Sequence, residues 1–151
     1  MNTNRVRLMP TTYLLMSVVA IVALHVLLPV AKVVPTPWNL VGILPLIVGV
    51  VINLVADRGF RAAQTTVRPF EKSSALVTSG VFRVSRNPMY LGFVLLLIGL
   101  ALLLRSLTPY LVVVAFAALL DRQFVAVEER MLAEQFGADW QRYRQRTRRW
   151  L

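Results

Sequence analysis

Long apolar runs separated by short polar breaks dominate the chain. From Tyr13 to Ala31 no acidic or basic residue occurs, and the same holds from Asn39 to Ala56. A helix that crosses the hydrocarbon core of a bilayer needs roughly 20 apolar residues at about 1.5 Å of rise each. Residues 13–34 and 39–56 therefore read as two spans joined through the short turn Pro35–Trp38. The first is too long, and too free of a small-residue cleavage site, for a signal peptide. The apolar signal stops over 57–87 and resumes at Pro88–Leu104. Arg105-Ser106-Leu107 makes a tight connection, after which Thr108 is expected as an N-cap with Pro109 at the first helical position. Asp121-Arg122 interrupts the next run, which resumes at Phe124–Val127. The expected fold is all-α: one polytopic membrane domain over 1–151, with four transmembrane helices at 13–34, 39–56, 88–104 and 109–127. The last two would form a tight hairpin. The segment 57–87 becomes a cytoplasmic loop, and the Arg-rich segment 128–151, with Trp140, Tyr143 and Trp150, an interfacial helix and tail.

Composition sharpens this picture. Of 151 residues 57% are hydrophobic, above the roughly 45–50% usual for a soluble domain. The formal net charge is +10, from 17 basic against 7 acidic residues. The basic residues sit outside the apolar runs instead of covering a folded surface, so a nucleic-acid partner is not expected. No cysteine is present, which excludes a disulfide scaffold, a thiolate metal site and a cysteine nucleophile. No His/Asp/Glu cluster has metal-ligand spacing, and no metal is expected. The N-terminal residues (Arg5, Arg7), the loop and the segment from Asp121 hold 15 of the 17 basic residues, leaving Lys32 and Arg105 for the other side. The positive-inside rule then puts both termini in the cytoplasm, which in a bacterial cell would mean the inner membrane. The basic tail reads as an anchor to anionic lipid headgroups.

Span lengths decide which residues meet. Pro88 to Leu104 rises about 25 Å, and the same rise back from Pro109 ends near Phe124 or Val125. Arg86-Asn87 and Glu128-Glu129 should therefore share one membrane face. Asn87 as N-cap, Pro88 as first residue and the adjacent Arg86 make a helix start suited to a carboxylate or phosphate. Glu128 and Glu129 suit an ammonium group or ribose hydroxyls. Mutual pairing of Arg86 with the acids, or with lipid headgroups, is an equally weighted reading. Asp121 and Arg122 lie inside the cytoplasmic part of a span, where ionisable groups are costly unless paired or facing a polar cavity. Gly42 and Gly49, seven apart, suit close helix packing in lipid and permit self-association. His25 is expected as a packed, hydrogen-bonded residue, Asn53 as a hydrogen bond between helices, and Trp38, Trp140 and Trp150 as interfacial belt residues.

The stretch Leu76-Val77-Thr78-Ser79-Gly80-Val81-Phe82, followed by Arg86-Asn87-Pro88-Met89-Tyr90-Leu91-Gly92, resembles the signature of the isoprenylcysteine carboxyl methyltransferase and phospholipid N-methyltransferase families. A hydrophobic hairpin, the pair Glu128-Glu129 and the tail Phe136-Gly137…Trp140…Tyr143 follow in the families' order. The resemblance covers about Thr65 to Leu151. It implies an S-adenosylmethionine-dependent integral membrane methyltransferase without a Rossmann fold, and no Gly-rich dinucleotide turn is present. By position, the resemblance assigns cofactor contacts to Leu76, Val77, Phe82 (where the families have tyrosine), Asn87, Pro88, Met89, Tyr90 and Gly92. Glu128 would hold a polar group of the cofactor, and Gly49 is the nearest match to a glycine contact of the phospholipid enzymes. Arg86 would share the cofactor's carboxylate with Asn87, and Tyr90 would shape the pocket. Glu129, Asp121 and Arg122 are further candidates for substrate or structural roles.

Two positions depart from the pattern. Many members have histidine at Asn87. The prenylcysteine enzymes carry a catalytic arginine at Phe124, with Arg122 lying two residues earlier on a different side of the helix. The reaction implied is methyl transfer by in-line displacement, in which the protein mainly positions donor and acceptor. A site open sideways to the bilayer would admit a hydrophobic or lipid-like acceptor bearing a carboxylate, amine or thiol. Membrane lipids are the expected partners. The alternatives are a non-catalytic lipid-binding or assembly module on the same scaffold, and a small four-helix transporter. The absence of an acid within either of the first two spans weighs against the transporter.

Overall fold

The computed structural model describes residues 8–151, so Arg5 and Arg7 lie outside the described residues. Five helices follow one another: α1 (Pro10–Leu27), α2 (Ile43–Ala62), α3 (Pro88–Leu104), α4 (Thr108–Leu120) and α5 (Ala126–Arg146). Among the described residues there is no strand longer than an isolated bridged pair.

The third span has the expected bounds, and the others need correction. The first helix begins at Pro10 and stops at Leu27 instead of Val34. Pro29 has no N–H to continue the ladder and drives the residue before it out of helical geometry, so Leu28 takes φ −137°, ψ 64°. The chain beyond is extended and pairs with the α3–α4 connection: the Val33 N–H donates to the Arg105 carbonyl at 2.9 Å, and the Leu107 N–H to that of Ala31 at 3.0 Å. Thr108 is the first helical residue of α4 and not its cap. Its hydroxyl donates to the carbonyls of Leu28 (3.1 Å) and Leu24 (3.4 Å), tying the start of α4 to the end of α1. His25 is packed as expected, sharing a 2.6 Å hydrogen bond with the Ser106 hydroxyl.

The second helix begins at Ile43, after a tight 3₁₀ turn over Trp38–Gly42, and runs past Ala56 to Ala62. The charged turn is compatible with helix because Asp57 and Arg61 form an i,i+4 pair at 2.8 Å. The largest correction concerns the fourth span and the C-terminal helix, which are not separate elements. Asp121–Val125 is a π-helical turn, and α4, this turn and α5 form a continuous helical stretch, Thr108–Arg146, with a kink at Gly137 (φ 47°).

Two glycine pairs set the approach of α2 to α3. A Cβ on Gly42 would lie 2.6 Å from the Gly99 carbonyl oxygen, and a Cβ on Gly49 would lie 2.6 Å from that of Gly92. The seven-residue spacing therefore recurs on both helices, in opposite directions, as an antiparallel crossing requires. Asn53 does not bridge the helices by a hydrogen bond. Its Nδ2 donates to the Gly49 carbonyl of its own helix at 2.9 Å, and its Oδ1 has no partner among the described residues.

Helices α1, α3 and α4 share a core in which Ile21, Leu97, Ala101 and Leu120 are fully buried. A second cluster joins Ala56 and Phe82 to Trp140 and Tyr143 of α5. Outward faces remain apolar: Leu15, Val19 and Val26 on α1, Leu44, Ile47 and Val51 on α2, and Leu111 and Val114 on α4 are all exposed. Three stretches, Pro10–Leu27, Trp38–Ala62 and Thr108–Arg146, are long and apolar enough to cross a membrane, and α3 is a shorter apolar helix.

Candidate functional site

Where α3 and α5 begin, the elements enclose a cavity of about 290 Å³. Phe60 near the end of α2, Leu76, Val77 and Phe82 from the α2–α3 connection, and Arg86 to Tyr90 at the start of α3 all line it. Glu128, Met131, Leu132 and Gln135 of α5 close the opposite wall, with Trp140 and Tyr143 beyond them.

The connection folds to this shape for local reasons. Gly80 takes φ 60°, open to glycine at little cost, and turns the chain into a 3₁₀ turn over Gly80–Arg83. Phe82 is thereby buried against Phe60, ring centroids 5.0 Å apart at 78°. The Tyr143 hydroxyl locks it there by donating to the Phe82 carbonyl at 2.7 Å.

The main polar contact on the wall joins two helices. Tyr90 Oη donates to Glu128 Oε1 at 2.5 Å, a short bond of the kind a carboxylate makes with a phenol. Glu128 is thus held at the cavity by a group from α3.

Arg86 and Glu129, both among the expected site residues, adopt the mutual pairing that the sequence left open beside a ligand role. Arg86 Nε and Nη2 lie 3.0 and 2.9 Å from Glu129 Oε1, with 8% and 10% of the two side chains exposed. Arg86 Nη1 donates to the carbonyls of Arg144 (3.2 Å) and Thr147. A guanidinium so committed has little capacity left for a ligand carboxylate. Asn87 does not cap α3 with its side chain; its Nδ2 donates to the Arg149 carbonyl at 3.1 Å. Gly49 and Gly92 are taken up in the α2–α3 contact and do not line the cavity. Arg122 is exposed on the π turn and does not line it either.

The segment 147–150, expected to lie on lipid, instead docks behind the Arg86-Asn87 motif. The Arg86 N–H donates to the Arg148 carbonyl at 2.9 Å, and Ser85 Oγ to that of Arg149 at 3.2 Å. Arg149 Nη2 meets Glu129 Oε2 at 2.7 Å, and its Nη1 meets Asp121 at 3.4 Å. Glu129 holds the Arg149 guanidinium further above its ordinary value. Trp150 Nε1 donates to Asp121 Oδ1 at 2.9 Å, and Trp140, expected in an interfacial belt, is instead buried inside the protein. The one sequence signal for this contact was Asp121, an acid within an apolar run that required a partner. Phe124, at the position of the prenylcysteine enzymes' arginine, is buried among Tyr13, Phe70 and Tyr90.

Residues 38–139, more than half of the chain, match the phospholipid methyltransferase family. The chain belongs to this family. Relatives include probable protein-S-isoprenylcysteine O-methyltransferases of Oryza sativa subsp. indica and subsp. japonica, each 33% identical over 112 residues, or 71% of this chain. The chain spans 57% of the length of those rice proteins. An uncharacterized protein of Haemophilus influenzae is 36% identical over 63 residues, 42% of this chain and the whole of that protein. Within the phospholipid methyltransferase match fall α2, the Leu76–Gly92 motif, the α3–α4 pair and Glu128-Glu129, while α1 and the segment 147–150 lie outside it. With its long apolar helices, this family member is a multi-pass membrane protein.

Proposed function

We propose that this chain transfers a methyl group from S-adenosylmethionine to a hydrophobic or lipid-like acceptor at the cytoplasmic face of a membrane. In this reading the chain crosses the bilayer four times, with α3 and α4 as the last hairpin and the basic segments inside. The observation that carries the proposal is the cavity in which Glu128, oriented by Tyr90, faces apolar and aromatic walls.

The donor set fits the cofactor. Glu128 suits an ammonium group or ribose hydroxyls, and Phe60, Leu76, Val77, Phe82 and Trp140 offer apolar surface for a purine. Arg86 is committed elsewhere, so the carboxylate falls to the start of α3. There the N–H groups of Met89 and Tyr90 make no backbone hydrogen bond among the described residues, and the helix dipole favours an anion. The volume stands at the lower end of ligand pockets, roughly 300–1,000 Å³.

When bound, the cofactor supplies an electrophilic methyl on a sulfonium. The chain's part is orientation, through Glu128 and the α3 start, and exclusion of water by the aromatic walls, which favours loss of charge as the methyl leaves. The buried Phe124 stands where the prenylcysteine enzymes carry an arginine, which weighs against a prenylcysteine acceptor. The test is binding of labelled S-adenosylmethionine to detergent-purified protein, followed by mass spectrometry of a host lipid extract for a gain of one methyl. Binding together with a methylated lipid supports the reading. No binding by the wild-type protein ends it.

A further inference from the structure

We propose that Thr147–Trp150 is a positioning strap: it contributes no residue to the cavity wall, yet fixes both residues of the Tyr90–Glu128 pair from behind. The inference rests on the methyltransferase reading of that cavity. None of residues 147–150 lines the cavity.

The strap acts on two sides. Toward α3, the Arg148 and Arg149 carbonyls take hydrogen bonds from the Arg86 N–H, Ser85 Oγ and Asn87 Nδ2. These three residues are the chain's entry into α3, so their placement sets where Tyr90 stands one turn later. Toward α5, Arg149 joins Asp121 to Glu129, and Glu129 in turn holds Arg86. Adjacent residues on a helix point about 100° apart. Pinning Glu129 outward between two guanidinium groups therefore fixes the rotation that turns Glu128 toward the cavity. The π turn makes this control necessary. Its extra residue per turn alters the facing of everything after Val125, and Asp121, the first residue of that turn, is the one gripped by Arg149 and Trp150. Arg149 and Trp150 are positioning residues, acting through Asp121 and Glu129.

The test compares wild type, Arg149→Ala, Arg149→Lys and Trp150→Phe, with Arg146→Ala as an exposed control that removes the same charge. Three quantities are read on detergent-purified full chain: amide hydrogen exchange over 85–90 and 126–130, S-adenosylmethionine affinity, and the thermal midpoint. For Arg149→Ala the expected result is faster exchange in both windows and about tenfold weaker binding, the size of one coupled polar contact, with the midpoint close to wild type. Arg149→Lys should recover part of both losses, and Arg146→Ala should show neither. Trp150→Phe keeps an aromatic, though smaller, ring and removes the donor to Asp121, so it gives a smaller change and serves if Arg149→Ala does not fold. Unchanged exchange in both windows overturns the strap, as does an affinity that falls only in step with the midpoint. If wild type binds no cofactor, the methyltransferase reading fails, and the exchange comparison still decides whether the strap holds the two windows.

Discussion

Tyr90 Oη lies 2.5 Å from Glu128 Oε1, joining the first turns of α3 and α5 at the cavity wall. The two residues contribute unequally to a bound cation or diol. Glu128→Gln removes the charge that would meet the cofactor, and hydrogen bonds to charged groups are worth about 1.5–3 kcal/mol. Tyr90→Phe removes only the group that aims the carboxylate, nearer about 1 kcal/mol. We predict weaker S-adenosylmethionine binding in both, with the larger loss in Glu128→Gln, measured by titration calorimetry in detergent. Equal affinity of Glu128→Gln and wild type would remove Glu128 from the site.

The Arg86–Glu129 pair should show itself in stability before chemistry. Both side chains are about nine-tenths buried, and removing one member of a buried ion pair leaves the other uncompensated at a cost of about 3–5 kcal/mol. Glu129→Ala leaves Arg86 without a carboxylate and Arg149 with Asp121 alone. A marked drop in thermal midpoint is expected for Arg86→Ala and Glu129→Ala. Asp57→Ala breaks an exposed pair with Arg61, worth about 1 kcal/mol or less, and should move the midpoint little. Similar midpoints for all three variants would mean that the Arg86–Glu129 pair is solvated.

Hydropathy located α1 to α4, and the 88–104 boundaries came out unchanged because Pro88 and the Arg105 turn (φ 69°) punctuate both ends. The Arg86–Glu129 meeting followed from span lengths alone. What could not be read was how each polar group spends its hydrogen bonds. Arg86, Asn87 and Glu129 carry the chemistry of a ligand clamp and use it on the protein, because the segment 147–150 folds back far beyond any local pattern. Asp121 looked like a break in a span. A partner 28 residues on lets the helix continue through it. Gly49 and Gly92 match family positions by spacing, and spacing does not distinguish a ligand contact from a helix crossing.

His25 tests whether the two ends of the bundle are independent. Its bond to Ser106 lies beyond the end of α3, and the cavity lies at that helix's start, about 25 Å away at 1.5 Å per residue. His25→Ala loses one hydrogen bond, about 1 kcal/mol of stability. S-adenosylmethionine affinity should stay within about twofold of wild type, since independent sites combine with an error of only a few tenths of a kcal/mol. A larger loss of affinity would show that the clasp between α1 and the α3–α4 connection controls the cavity.

The glycine crossing makes the opposite prediction, a distant packing change that reaches the site. Gly49→Ala would put a methyl 2.6 Å from the Gly92 carbonyl oxygen, which is backbone and cannot swing aside. Gly92→Ala would meet Asn53 Nδ2 at 2.1 Å and the Gly49 carbonyl oxygen at 2.9 Å. Either change must push α2 away from α3, and overpacking of this kind costs about 1–3 kcal/mol. The two helices also bring Phe60 and Tyr90 to the cavity, so their separation should widen it and weaken cofactor binding together with stability. Gly80→Ala is the contrast. Open space surrounds that position, and the cost comes from φ 60° alone, about 1–2 kcal/mol. Thermal midpoints and S-adenosylmethionine affinities of the three variants separate the effects. Wild-type affinity in Gly49→Ala despite a lowered midpoint would show that the cavity is held by the α3–α5 contacts without the aid of α2.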